Sequence, residues 1–492
     1  MKRYKEIIDN YFRKHSLVES NLKSFNNFMD KGIQQIVDEV QDITPPIIPS
    51  EVSDFKIKLG KLEIEKPQIV EADGSKRDVF PMEARLRRLT YSAPIYLNVS
   101  AYIDGVERES FKTLIGKIPV MVKSKYCHLS GLNQEALAKH YEDPYDPGGY
   151  FILNGNERVL VIVEDLASNK FFIEKNNVGP SKFTAKIFSE KGSYRIPHTI
   201  EQMKDGTIYI SFTRFKRVPI IAVIKALGLV KDQDIANFIC DEKQYDDVFI
   251  NLYSCIEQKT KEQAQDFLSK KIGLSQDEKP ERISDLLDTY LLPHIGVGKE
   301  ERMMKAYNLC KYVKKFLMVA KDNLHTSDKD HYTNKRLKLS GDLLGDLFRV
   351  NLTALVQDML YNFQRLVKRG KFQSIKIIIR DQLLSSRIKS AMATGTWVGG
   401  RKGVSQNIDR TNFTATVSHL QRVVSLLSSS QENFEARALH PTHWGKLCPV
   451  ETPEGTPIGL RKNLALLCKI SEEDVQEDKL KKTLEGCGLK TS

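Results

Sequence analysis

DPYDPGGYFILNGNERVLVIV, residues 143–163, sets the fold class of this 492-residue chain. A cluster of proline, glycine and aspartate leads into an apolar run, then Asn154-Gly155, then a second run rich in valine and leucine. Asn-Gly tolerates the positive φ that both central residues of a tight hairpin turn need, so the pattern predicts a β-hairpin. Upstream, Phe55-Lys56-Ile57-Lys58-Leu59 alternates apolar and basic, residues 81–104 read as extended, and Thr113–Val122 reads as a further strand. Downstream, β-like runs continue over 171–225, Thr207–Phe212 among them.

The helical pattern lies elsewhere. The first 40 residues predict two helices, with Ile7, Ile8, Tyr11 and Phe12 on one face. From about 232 to 320 the chain is highly charged and helical in pattern, with Phe267, Leu268, Ile283, Leu286, Leu287 and Leu291 as expected core positions. The clearest helix is 341–369, where Leu344, Leu347, Phe348, Leu352, Leu355, Met359 and Phe363 form one stripe and Lys368-Arg369-Gly370 supplies a basic end and a stop. Such a stripe is core rather than a cofactor box. Separate runs of strands and helices over this length predict an α+β chain of two to four domains.

Composition narrows the class. The fractions of 41% hydrophobic and 28% charged residues are those of a globular protein, and no apolar run is long enough to span a bilayer. The N-terminus lacks the apolar core of a signal peptide, and the seven scattered cysteines form no C-x-x-C, so reduced thiols in a cytoplasmic protein are expected. The net charge is +12, and residues 330–470 alone carry 21 Lys+Arg against 10 Asp+Glu. Clustered basic charge is the footprint of a phosphate-facing surface, with a merely solvated basic face as the plainer reading.

Residues 440–460, HPTHWGKLCPVETPEGTPIGL, have neither helical nor strand period. Trp444, Leu447, Val450 and Ile458 are expected to anchor them as a shaped loop rather than a slack linker, with a β-turn at Thr452–Gly455. His440, His443 and Cys448 match no usual zinc spacing and lack a fourth ligand; Asp328, Asp330 and His331 are of the kind polar loops commonly produce. No P-loop, dinucleotide fingerprint or nucleophile elbow is present. Two basic, glycine-punctuated segments remain. Lys335-Arg336 leads into the long helix, and Arg401-Lys402-Gly403 leads to Gln406 and Arg410; both suit close approach to a phosphate backbone. Lys446 and Arg437, beside or within the loop, add further cationic donors.

These pieces together resemble the N-terminal half of the second-largest (β-type) subunit of multi-subunit DNA-dependent RNA polymerases. The resemblance is carried, in order, by EARLRRLTYSAP (83–94), GKIPVMVKS (116–124), DPGGYFILNGNERVLVIVED (146–165), DKDHYTNKRLKLSG (328–341), SAMATGTW (390–397), GVSQNIDRTNFTATVSHLQRV (403–423) and ARALHPTHWGKLCPVETPEGTPIGL (436–460). Its flavour is archaeal or eukaryotic, and it looks most like the split subunit of some archaea, methanogens in particular, whose N-terminal piece is called B″. Two stretches depart from the family pattern: Tyr332-Thr333, and the serine-rich segment between Arg422 and Arg437.

The resemblance implies a β-rich protrusion (1–170 and 335–395) interrupted by an α/β lobe (171–334). A loop-rich fork (396–470) and a tail (471–492) would follow. It implies transcription by a nucleotidyltransferase complex in which this chain holds no catalytic residue and no metal, the Mg²⁺ being bound by other chains, so that the isolated chain is inactive. Arg437, Glu454 and Glu451 would lie at the edge of the active centre, Arg437 holding phosphate or positioning nearby elements and Glu454 bracing a moving element of the largest subunit. Lys335, Arg336, Arg401, Lys402, Gln406, Arg410 and Lys446 would face nucleic acid. The expected partners are the DNA template and RNA–DNA hybrid, the C-terminal half of the subunit, the largest subunit and smaller subunits, with no membrane. A free-standing basic nucleic-acid-binding scaffold is the alternative.

Overall fold

The computed structural model describes residues 2–40, 42–48, 52–176, 179–192, 194–240, 246–273, 279–321, 324–370, 374–471 and 477–489. The chain divides into two compact units, Met1–Asp165 with Leu337–Ser492, and Leu166–Arg336. It is a multi-domain α+β fold.

In the first unit, Ser92–Ile103 is the central strand of an antiparallel sheet, flanked by Phe55–Ile64 and Val106–Pro119. Ala93, Ile95, Leu97, Val99 and Ala101 are all buried, the alternation of a strand with one face on the core. The long helix Ser340–Lys368 packs against this core through the expected stripe, and every one of its seven named positions is buried. Phe348 meets Phe28 edge-on at 6.4 Å, and Phe363 meets Phe55 at 4.7 Å. The first N–H groups of a helix lack intrahelical partners. Here Asn21 Oδ1 accepts from the Ser340 amide at 3.3 Å and Ser24 Oγ from the Gly341 amide at 3.1 Å, which locks the helix start onto helix Glu19–Asn27.

The hairpin forms as expected, from Phe151–Leu153 and Asn156–Leu160, with Asn154 at φ 51° and Gly155 at φ 80°. Its second strand then pairs with Ser405–Asn407, in register Leu160 to Ser405. The chain continues at once into Ile162–Leu166, which runs parallel to Arg422–Ser425; that strand in turn pairs antiparallel with Arg461–Asn463. One stretch of sixteen or so residues therefore ties segment 405–463 to the core.

In the second unit, five strands form an antiparallel meander: Phe171–Lys175, Ser181–Lys191, Tyr194–Met203, Ile208–Phe212 and Phe215–Pro219. Helices predominate among the described residues from Ile220 to Ala320, around a core that includes Ile224, Leu268, Ile283, Leu287 and Phe316. Phe267 and Leu286 pack at its margin.

Three local expectations are corrected. Pro81–Leu86 is a helix, not an extended segment, with proline in its first turn and Glu83 paired to Arg77 and Arg87. Ile220–Leu227 is a fully buried helix, because an all-apolar run gives no period to separate strand from helix. The turn expected at Thr452–Gly455 is a bend, and the hydrogen-bonded turns follow it at Gly455–Ile458 and Pro457–Leu460. The tail contains helix Glu477–Gly486; residues 472–476 and 490–492 lie outside the described residues.

A Cβ on Gly155 would stand 3.0 Å from the Arg85 carbonyl oxygen and 3.0 Å from Arg88 Cα, at a φ that β-branched residues avoid. Gly155→Val should therefore destabilise the first unit by about 1–3 kcal/mol. A lowered melting temperature is expected; an unchanged one would contradict a tight turn here.

Candidate functional site

The candidate site is segment 397–463 with the hairpin that carries it. At its base lies a cluster of buried and half-buried charges. Arg85 Nε donates to Glu157 at 2.8 Å, its Nη1 to both Glu142 oxygens at 3.0 and 2.9 Å, and its Nη2 to the Tyr150 hydroxyl at 2.7 Å. The Tyr150 hydroxyl donates in turn to Asp146 at 2.7 Å. Arg410 closes the cluster: its Nε donates to the other Glu157 oxygen at 2.7 Å, its Nη2 to Asp146 at 3.1 Å, and its guanidinium lies over the Tyr150 ring at 4.7 Å. Burial pushes the Glu142 carboxyl up despite its Arg85 partner, and raises the Tyr150 hydroxyl well above the usual phenol range.

Further inward, Arg158 donates to Ser405 Oγ at 2.9 Å and to Asn407 Oδ1 at 2.8 Å. Arg401 pairs with Asp165, and Lys462 with Glu164 at 3.0 Å in a nearly dry pair. Gln406 is held from both ends, its amide donating to the Gly403 carbonyl at 2.9 Å and its carbonyl facing His419 Nε2 at 3.1 Å. The Asp409 amide donates to His419 Nδ1 at 3.1 Å, so that nitrogen is unprotonated and Nε2 carries the proton. Burial, reinforced by Arg422, pushes His419 down to about 4, in keeping with a neutral ring.

The loop 440–460 is shaped, but not by the anchors expected. Leu447 is buried, whereas Trp444 is 91% exposed, Val450 83% and Ile458 47%; Phe434 nearby is 82% exposed. Arg437 holds the loop instead. Its Nη1 donates to the carbonyls of Thr456 and, at 3.1 Å, Ile458, and its Nη2 to those of Ser429 at 2.9 Å and Gln431 at 3.1 Å. Backbone packs on backbone behind it: a Cβ on Gly459, at φ 71°, would fall 2.2 Å from the Arg437 carbonyl oxygen. Carbonyl contacts have no sequence signature, which is why apolar anchors were expected in their place.

The other expected site residues fall as follows. Glu451 accepts from Ser418 Oγ, and Glu454 is exposed. Lys402 and Lys446 are exposed. Lys335 and Arg336 belong to the second unit, Lys335 pairing with Asp330 at 3.2 Å and Arg336 donating to the carbonyls of Thr333 and Lys335. Among the described residues no group of three or more His, Cys, Asp or Glu converges as a metal would require. Asp328 Oδ1 accepts the Asp330 and His331 amides instead. No helix of the described residues is long and apolar enough to cross a membrane.

Sequence reading missed one pair. Arg422 and Arg461 lie diagonally across neighbouring antiparallel strands, and burial, with the Arg461 charge added, holds the Arg422 guanidinium below its usual range against the opposing pull of Asp409 and Glu451. Neither forms an ion pair with any described carboxylate. Two cations on neighbouring strands, with Asp409 and Glu451 near Arg422 but in no ion pair with it, are an arrangement that an anion can complete. Only the register of the two strands brings them together, so no local motif announces them.

Two measurements check this geometry. The unfolded chain protonates His419 near 6.5 while the folded chain resists down to about 4, so acid favours the unfolded state. Stability should fall between these pH values by up to roughly 3 kcal/mol, and His419→Gln should flatten that limb. Arg437→Ala should speed amide exchange across 456–460 at least about tenfold, because charge-assisted hydrogen bonds are worth about 1.5–3 kcal/mol. Unchanged exchange would assign the loop's order to something else.

Residues 16–389 match the RNA polymerase beta subunit family, and residues 406–470 match RNA polymerase Rpb2, domain 3. The chain is 43% identical over 499 residues to DNA-directed RNA polymerase subunit Rpo2N of Methanocaldococcus jannaschii, covering 99% of each. It is 42% identical to Rpo2N of Methanothermobacter thermautotrophicus, over 95% of this chain and 94% of that one. Against subunit Rpo2 of Saccharolobus solfataricus it is 41% identical, over 98% of this chain but 43% of the relative. The chain thus belongs to the RNA polymerase β-subunit family, as the split, N-terminal half of the second-largest subunit of a DNA-directed RNA polymerase.

Proposed function

We propose that this subunit of the nucleotidyltransferase complex forms one wall of the DNA cleft and the edge of the active centre. In this reading the first unit is protrusion and fork, and the second is the lobe. Its partners are the C-terminal half of the subunit, the largest and smaller subunits, the DNA template and the RNA–DNA hybrid, in the cytoplasm. Magnesium is carried by other chains, the isolated chain is inactive, and no step of phosphoryl transfer is assigned to its residues.

The observation that carries the nucleic-acid reading is the Arg422–Arg461 pair, two cations on neighbouring strands that repel one another and form no ion pair with a described carboxylate, although Asp409 and Glu451 act on Arg422 from nearby. A phosphate backbone supplies a further negative charge to such a pair. Lys402 and Lys446 extend the basic surface as exposed donors. Arg401, Gln406 and Arg410, largely occupied within the fold, act by holding the segment in place. Arg437 likewise positions the loop, leaving Glu454 free to meet a neighbouring subunit. Exposed Phe434, Trp444 and Val450 support a protein partner over the loop, since large apolar side chains gathered at a surface are commonly covered in an assembly.

In the reconstituted enzyme, Arg422→Ala with Arg461→Ala should weaken template binding. The slope of log affinity against log salt should fall by about 1 to 2, at roughly 0.9 per phosphate contact in duplex DNA. An unchanged slope with unchanged elongation would remove these arginines from the nucleic-acid path.

A further inference from the structure

Helix Lys2–Lys14 carries Tyr4, Ile7, Ile8, Tyr11 and Phe12 at helical spacing, a single apolar stripe. Only its C-terminal end is packed. Tyr11 lies under Lys469 Nζ at 5.8 Å, the same Nζ stands 3.3 Å from His15 Nδ1, and Gln421 donates to the Leu17 carbonyl at 3.1 Å. These contacts join the start of the chain to Gln421 and to segment 466–470 around a cleft of about 260 Å³. Beyond the cleft the stripe is bare: Tyr4 is 72% exposed, Ile7 66% and Ile8 54%, and across from the packed end Leu466 is 62% and Leu467 64% exposed. A 13-residue helix is marginal in water unless its apolar face is covered. Five large apolar side chains on the two elements of one cleft thus lack a cover among the described residues.

The relatives indicate what covers them. The Methanocaldococcus subunit is matched over 99% of its length, whereas the same stretch makes up 43% of the Saccharolobus one. More than half of the undivided polypeptide therefore lies outside the shared stretch. The match to RNA polymerase Rpb2, domain 3 closes at residue 470, in the wall of this cleft. The match to the undivided subunit covers 98% of this chain, so there the polypeptide runs on from residue 470 through a short tail before its further portion begins, which tethers that portion within reach of Leu466, Leu467 and the bare stripe. We propose that this surface is the docking site for the separate downstream half of the subunit, which would present an apolar face rimmed by carboxylates to meet Lys5 and Lys469. The inference rests on the split-subunit reading above.

The test co-expresses the full chain with the downstream half from the same genome and measures its retention on the tagged chain. Two double variants are compared, Ile7→Asp with Ile8→Asp, and Leu466→Asp with Leu467→Asp; all four side chains are exposed, so the fold should survive, as an unchanged melting temperature would verify. Tyr361→Asp, at another exposed position on the long helix, is the control. Each double variant should lower retention at least tenfold while the control does not. Retention by wild type and both variants alike would overturn the surface while leaving the split-subunit reading intact. No retention by wild type would sink that reading and this inference together. Self-association of the chain that the same variants abolish would assign the surface to a second copy, and loss of retention on Leu480→Asp with Leu484→Asp alone would assign the docking to the tail helix.

Discussion

The Glu157 carboxylate lies between two guanidinium groups that arrive from opposite ends of the chain, and much of the first unit depends on that sharing. Arg85 comes from helix Pro81–Leu86 and Arg410 from the loop after Ser405–Asn407, while Glu157 sits on the hairpin. Glu142, Asp146 and Tyr150 fill the remaining donor and acceptor positions. A charge left alone at such a depth costs several kcal/mol, so each member requires the others. The cluster thereby fixes the orientation in which segment 405–463 leaves the hairpin, which is the orientation of the basic surface.

What could be read from the sequence was what depends on neighbours along the chain. The Asn154-Gly155 turn and the stripe of helix Ser340–Lys368 are local patterns, and both appear where expected. Residues 81–86 and 220–227 were misread for opposite reasons. The first helix is short and held by Arg77 and Arg87 pairing with Glu83, and the second is so apolar that no face can be distinguished.

The candidate site was legible in composition and opaque in geometry. The basic surplus of 330–470 was visible, but not which cations were already committed. Arg410 meets partners more than 250 residues away in sequence, and Arg437 meets carbonyl oxygens, which every residue possesses. Conversely, Arg422 and Arg461 are unremarkable in the chain and become neighbours only through strand register. Sequence reveals how much charge there is; the fold decides what remains for a ligand.

The grip of Arg437 on four carbonyls has a consequence for assembly. A loop that is ordered only when a partner arrives charges its lost conformational entropy against the affinity. Residues 440–460 are set beforehand, by hydrogen bonds and a backbone contact at Gly459 that only the absence of a side chain permits. Trp444 and Val450 are thus presented as rigid projections on a preorganised mould. Association can then proceed as the docking of finished surfaces, with little left to fold at the moment of contact.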